Sequence, residues 1–177
     1  MDYSYLPREV QELIGKETQP VPAAVAVERA LIDHWVEVME DSNPVYSDAD
    51  EAKKNGYEDI VAPPGMLLVW GQPFYWNPRR GEVDREKEGV ALLHFKLKKL
   101  MRRPVGIVGQ TEIEYYKPLM LGDRVYIRER IVDVSPEKTT RVGTGNFWTI
   151  EVIYSNQKGE DIGLQRLHMF GYGREEG

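Results

Sequence analysis

Ala62-Pro63-Pro64-Gly65-Met66-Leu67-Leu68-Val69-Trp70-Gly71-Gln72-Pro73 decides how this chain folds. Proline is tolerated in a first helical turn, where its missing N–H would have no partner anyway. The stretch therefore predicts a helix from about Pro64 to Gly71, and Pro73 limits its regular continuation. Its residues are apolar on every side, so the helix belongs in the interior and not on the surface.

Upstream, Ala30 to Glu40 carries Leu31, Trp35, Val38 and Met39 at i, i+4, i+7 and i+8, which predicts a helix with these four as one apolar stripe. Asp41-Ser42-Asn43-Pro44 ends it, since the residue before a proline is pushed out of helical geometry. Asp48 then suits the N-cap of a short helix over Ala49 to Asn55, with Gly56 just past its end. Downstream, Asn77 to Gly89 is charged and turn-rich and predicts an exposed connection. Ala91 to Met101 fits both periods; helix is preferred because the pattern continues past Leu97.

The second half reads as strands. Ile107 to Tyr116 places Ile107, Gly109, Thr111, Ile113 and Tyr115 on one face, with Gln110, Glu112 and Glu114 opposite. Val125 to Val134 follows after Pro118 and Gly122-Asp123. Gly145 to Ser155 aligns Trp148, Ile150, Val152 and Tyr154. A hairpin turn at Asn156-Gln157-Lys158-Gly159 leads into Glu160 to Tyr172. Gly143-Thr144-Gly145 is expected to mark a bulge. The expected fold class is α+β: one domain over residues 1–177, an antiparallel sheet wrapped around a long buried helix starting near Pro64.

Composition narrows the chemistry. The 177 residues hold no cysteine, which excludes disulfides, thiol catalysis and cysteine-ligated metals. Formal net charge is −6, which argues against nucleic acid or an anionic membrane surface as partner. No signal-like N-terminus or apolar run approaching ~20 residues is present, so a cytoplasmic location is expected. The three histidines show no metal-ligand spacing, so no metal is expected.

One segment stands apart: Glu40-Asp41-Ser42-Asn43-Pro44-Val45-Tyr46-Ser47-Asp48, followed by Ile60-Val61-Ala62-Pro63-Pro64-Gly65-Met66. It resembles the MaoC-like hotdog family of R-specific enoyl-CoA hydratases and dehydratases. That family carries Gly-Asp-x-Asn-Pro-(Leu/Ile/Val)-His-x-Asp and, later, Ile-Ala-His-Gly-Met. Tyr116-Lys117-Pro118-Leu119 with Gly122-Asp123-Arg124-Val125 is similar to the family's Arg-Pro-(Leu/Val)-x-x-Gly-Asp turn. Asp41, Asn43, Pro44 and Asp48 match, but Tyr46 stands where the family keeps a histidine, and the second histidine position reads as proline. The Ala-Pro-Pro version resembles the branch with an N-terminal MaoC dehydratase domain. Lys138 to Trp148 and Phe170-Gly171-Tyr172 look closest to the non-catalytic partner subunit of heteromeric steroid-type enoyl-CoA hydratases.

The resemblance implies a site. Hydrating an enoyl thioester needs a water activated at the β-carbon and a proton for the α-carbon, work suited to an Asp/His pair near neutral pH. Backbone N–H groups at the start of the buried helix would stabilise the enolate. Tyrosine, with an ordinary pKa near 10, is a poor base. The implied residues are Asp41 as the remnant of the catalytic pair and Asn43, Tyr46, Pro64, Gly65 and Met66 against the substrate. Two enzymatic readings follow: a degenerate half that shapes an acyl-CoA tunnel while a His-bearing hotdog partner supplies the chemistry, or a self-sufficient hydratase using Asp41. A hotdog thioesterase is a further enzymatic option, and a non-enzymatic acyl-CoA-binding scaffold is the option from another class. The implied assembly is a heterodimer or dimer of heterodimers, with coenzyme A thioester as substrate and no resident cofactor.

His34 and His94 read as packed or half-exposed residues, whereas His168 in the last strand keeps two possible orientations. Lys96, Lys98, Lys99, Arg102 and Arg103 form a basic run. It is either a solvated helix face or a contact for coenzyme A phosphates through Arg102 and Arg103.

Overall fold

The computed structural model describes residues 2–72, 76–79, 81–82 and 90–173. The chain opens with α1 (Arg8–Gln11), β1 (Val21–Ala26) and α2 (Arg29–Met39). A 3-10 turn (Pro44–Tyr46) leads to α3 (Ala49–Lys54). A second 3-10 turn (Pro64–Met66) runs straight into α4 (Leu67–Trp70). Then come β2 (Trp76–Asn77), β3 (Gly81–Glu82), α5 (Leu92–Leu100), β4 (Val105–Tyr115), β5 (Arg124–Val134), β6 (Lys138–Thr140), β7 (Gly143–Ser155) and β8 (Asp161–Gly173). The main sheet is antiparallel in the order β1-β5-β7-β8-β4, with β6 paired to β7.

The sheet's inner face carries the expected row Trp148, Ile150, Val152 and Tyr154, joined by Ile127, Ile131, Leu167 and Met169. Against it lies the helix that begins at Pro64, with Met66, Leu67 and Trp70 buried. It is shorter than expected, ending at Trp70. Gly71 and Pro73 explain the stop: glycine is a weak helix former, and proline disfavours helical geometry at the residue before it. The charged connection expected over Asn77 to Gly89 begins with a two-residue hairpin, Trp76↔Glu82 and Asn77↔Gly81. Residues 80 and 83–89 lie outside the described residues.

The helix over Leu92 to Leu100 confirms the preferred reading of that ambiguous stretch. Its N-terminus is held from the sheet: Leu92 and Leu93 N–H donate to Glu129 of β5 at 3.0 and 2.9 Å. Burial pushes the Glu129 carboxyl up, and these backbone donors pull it partly back. Asp48 caps α3 as expected, accepting from the N–H groups of Asp50 and Glu51.

Four expectations need correction. In α2 the fully buried residue is Ile32, while Leu31, Val38 and Met39 are exposed. The helix meets the core along Ile32, Trp35 and Val36, so tertiary placement overrides the best local stripe. In β4 a register shift at Gly109 turns Ile107 to the outer face opposite Phe170, and Val108 takes the inner position opposite Met169. Gly143-Thr144-Gly145 pairs without a register shift against both neighbours. Gly145 is there for close approach, since a Cβ would sit 2.0 Å from the Gly171 carbonyl oxygen. Finally, β1 and β6 are strands that the sequence pattern did not reveal: Pro22 and the small residues of β1 mask its pairing with β5.

The outer face is charged. Arg130, Glu151, Arg166 and Glu112 stand opposite one another across four strands. Burial pushes Glu151 up, but Arg130 and Arg166 outweigh it and hold the carboxyl below its ordinary value.

Candidate functional site

The Asn-Pro-Val-Tyr segment is built by local polar contacts. Helix α2 ends with Glu40 in the left-handed region (φ 52°) and Asp41 N–H bonded to the Val36 carbonyl. Asp41 Oδ1 accepts from Asn43 N–H at 3.0 Å, an Asx turn that spends one oxygen of the carboxylate on its own loop. Asn43 Oδ1 in turn accepts from Val45 N–H at 3.3 Å, capping the 3-10 turn that presents Tyr46. The Tyr46 ring meets Trp35 edge-on with centroids 6.4 Å apart.

The next segment is fastened to the β4–β5 connection. Ala62 N–H donates to Leu119 O, Leu121 N–H to Ile60 O, and Val61 N–H to Val45 O. Asp123 locks the turn after Gly122 (φ 88°): its carboxylate accepts from Met120 N–H and from the Gln157 amide, both at 2.8 Å. These ties leave a cavity of about 270 Å³ between the two segments. One wall is Asn43, Val45, Tyr46 and Tyr57; the floor is Val61 to Pro64 with Leu67 and Ile162. Tyr115, Tyr116, Lys117, Pro118 and Leu119 form the other wall.

Of the residues implied by the sequence, Asn43, Tyr46 and Pro64 line this cavity. Asp41 stands beside it, half-buried, without forming its wall. Met66 points into the core and is 2% exposed, and Gly65 is an exposed residue whose Cα faces the Trp35 ring. At the helix start, Pro63 and Pro64 have no N–H, and Met66 and Leu67 N–H already donate to Pro63 O and Pro64 O. Gly65 N–H is the remaining donor of that turn among the described residues.

Arg102 and Arg103 sit at the opposite end of β4, about 30 Å of strand away from Tyr115. Arg103 Nε donates to Asn146 Oδ1 at 3.0 Å, and its guanidinium pairs with Glu137; Arg102 is exposed at φ 53°. Lys96 and Lys99 are likewise exposed. Tyr57, Tyr115 and Ile162 were missed by sequence reasoning, because nothing local marks residues that a cavity gathers from three separate segments.

Tyr46 is held in its neutral form. Burial pushes its phenol up, the negative charge of Asp41 adds to this, and the polar Asn43 side chain offsets part of it. The histidines lie elsewhere. His34 is exposed, and His94 is buried beneath Trp148, whose indole N–H donates to its Nδ1 at 3.3 Å. His168 faces outward, with Nδ1 3.1 Å from Thr149 Oγ1 and Nε2 3.5 Å from Glu112. Among the described residues no group of three or more acidic or histidine side chains could hold a metal. No helix among them is long and apolar enough to cross a membrane.

Residues 12–165 match the family model described as "FAS1-like, dehydratase domain region". The chain belongs to this MaoC-like hotdog family. A probable enoyl-CoA hydratase alpha subunit of Thermomonospora curvata is 30% identical to this dehydratase-region domain over 93% of the chain and 51% of that protein. The 3-oxo-4,17-pregnadiene-20-carboxyl-CoA hydratase alpha subunit of Mycobacterium tuberculosis is 28% identical over 82% of the chain and 47% of its own length. The domain thus spans about half the length of these curated relatives. Among solved structures, the ChsH1-ChsH2 complex of M. tuberculosis contains a chain matching with TM-score 0.76 at 25% identity, covering 97% of this chain and all of that one. A MaoC-like dehydratase of Rhodospirillum rubrum shares the fold at TM-score 0.63 and 16% identity, over 93% and 97% of the two chains.

Proposed function

We propose that this domain is the catalytically degenerate half of a heteromeric enoyl-CoA hydratase, interconverting 2-enoyl- and 3-hydroxyacyl-CoA only together with a His-bearing hotdog partner. The observation that carries the reading is Tyr46: a phenol kept protonated occupies the cavity position where the family places its base. Asp41 has one oxygen committed to its own turn and does not line the cavity, which disfavours the self-sufficient reading. The partner supplies the Asp/His pair, this domain supplies a wall of the acyl tunnel, and no resident cofactor takes part.

Pairing through β4 supports a side-by-side assembly. It is an edge strand of eleven residues with Ile107 and Val108 exposed, and it runs directly into the cavity wall at Tyr115. An unpaired edge of that length is a template for a neighbouring strand, and a second hotdog sheet would continue it as a heterodimer or dimer of heterodimers. The cavity would then open at the junction.

The test is hydration of crotonyl-CoA by the purified chain, alone and with a co-expressed hotdog chain carrying the intact histidine motif. Alone it should give no turnover above background, and the pair should be active. Asp41→Asn in this chain should change the activity of the pair by less than about threefold, against the 10² to 10⁴ expected for loss of a general base. Turnover by the chain alone that Asp41→Asn abolishes would establish the self-sufficient enzyme instead.

A further inference from the structure

We infer that the free edge of β4 rejects a second copy of this chain and takes a partner strand that is basic on its outer face and apolar on its inner face. The inference rests on the side-by-side assembly proposed above and deepens it by stating the chemistry of the partner. Among the described residues β4 ends the main sheet, paired to β8 alone. Register divides its side chains between two faces. Val108, Thr111, Ile113 and Tyr115 stand on the inner face, opposite Met169, Leu167, Gln165 and Gly163. Gln110, Glu112 and Glu114 stand on the outer face, opposite His168, Arg166 and Leu164. Val108 and Tyr115 are 53% and 50% exposed. A strand laid against this edge would cover apolar surface on one side and meet carboxylates on the other.

The outer row is short of positive charge. Among the described residues Arg166 is the cation that reaches it. Its guanidinium pairs with Glu114 and, at 2.9 Å, with Glu151, and comes only within 3.9 Å of Glu112. Arg130, the next cation across the sheet, is turned to Glu151 and Glu17. Lys117, further along the chain, is paired with Glu160. Glu112 otherwise accepts from the Gln110 amide at 2.7 Å and lies 3.5 Å from His168 Nε2. Both glutamate side chains are 46% exposed at the edge, where an incoming strand meets them.

A second copy cannot supply the missing charge. An isologous pairing of two β4 strands is antiparallel, and outer residues must oppose outer residues. Between Gln110 and Glu114 every such register sets Glu112 opposite Gln110, Glu112 or Glu114 of the copy. A carboxylate thus lies opposite or diagonal to a carboxylate each time, and like charges facing one another destabilise a strand pair. A strand with Lys or Arg in its outer row turns the same contacts into ion pairs, which select the partner and fix the register. The edge is otherwise fit for pairing: its eleven residues contain no proline, and its Val, Ile and Thr favour strands.

The test uses this chain as its own probe. Glu112→Lys combined with Glu114→Lys gives a copy with a basic outer row. Analytical ultracentrifugation then compares the wild type, the double variant and an equal mixture. The mixture should form a heterodimer with Kd at least about tenfold below that of either chain with itself, and added salt should weaken it. Circular dichroism checks that the double variant is folded. Glu112→Lys alone, which leaves Glu114 on Arg166, serves if it is not. That chain should self-associate more tightly than the wild type, because each new lysine then faces Glu114 of the copy. A mixture that associates no more tightly than the wild type with itself, or a Glu112→Lys chain that behaves as the wild type, overturns the inference; the carboxylates then only guard the edge. In complex with a co-expressed hotdog chain carrying the intact histidine motif, the double variant should weaken assembly by on the order of tenfold. Crotonyl-CoA turnover per assembled complex should not change. Assembly that tolerates the reversal overturns the inference and leaves the hydratase reading in place. Assembly that needs the acidic row but gives no hydration sustains the inference and removes the hydratase reading.

Discussion

The two ends of β4 hold two aromatic side chains of opposite fate. At one end Tyr46 borders an open cavity. At the other, His94 lies under Trp148, its Nδ1 taken by the indole N–H, and burial followed by the Lys98 charge pushes its pKa down to about 4. By intrinsic chemistry the imidazole is the better base. By position it lies outside the wall of that cavity, and Gly106 of β4 closes over it so tightly that a Cβ there would come 2.5 Å from the ring. Gly106 pairs with Gly171 of β8, where a Cβ would come 1.8 Å from the Trp148 ring. Two cross-strand glycines thus let His94 and Trp148 lie directly on the sheet. What separates a useful side chain from a structural one here is access, and access is decided by what the backbone leaves uncovered.

The strongest way to break this contrast is to disturb the closed end. Gly171→Ala forces the Trp148 ring off the sheet and should cost about 3 kcal/mol, lowering Tm by roughly 10 °C. Thermal unfolding checks it, and an unchanged Tm would mean the end is not tightly closed. A comparable effect should come from pH. In the unfolded chain His94 takes a proton below about 6.5, whereas in the folded chain it resists protonation until about 4. The unfolded state therefore binds more protons in that window, and stability falls as pH drops through it, by about 3 kcal/mol in total. Denaturant titrations at pH 7, 5.5 and 4.5 should show a shallower decline in His94→Leu than in the wild type.

The smallest effect is expected at the open end. Tyr46→His restores the family's residue in the cavity but leaves Asp41 bonded to its own turn and off the wall. Crotonyl-CoA hydration by the chain alone should therefore rise by no more than about threefold, because the second member of the pair is still misplaced. A large gain would mean that the residue at position 46 alone decides whether the chain can hydrate by itself.

Much of the fold was legible because local signals agreed with the tertiary outcome: the Asp48 cap, the alternation from Trp148 to Tyr154, and the prolines ahead of a wholly apolar run. The failures share a cause. Ile107 turns outward because Gly109 shifts the register, and one extra residue inverts every face assignment on its far side. Leu31, Val38 and Met39 look like a core stripe, but the choice of buried face belongs to the packing partner and lies with Ile32. At the site, Asn43, Tyr46 and Pro64 could be found through a motif, whereas Tyr57, Tyr115 and Ile162 join the wall only once three distant segments meet.

The grip of Glu129 on α5 carries a consequence for the order in which this protein assembles. The helix has no side-chain cap of its own, and its first two N–H groups are satisfied by a residue 37 and 36 positions later in the chain. Nine residues are too few to persist as a helix in water unaided. During synthesis this segment therefore leaves the ribosome as coil and settles only after β5 has found its place. A peptide of Leu92 to Leu100 alone should show no helical circular dichroism.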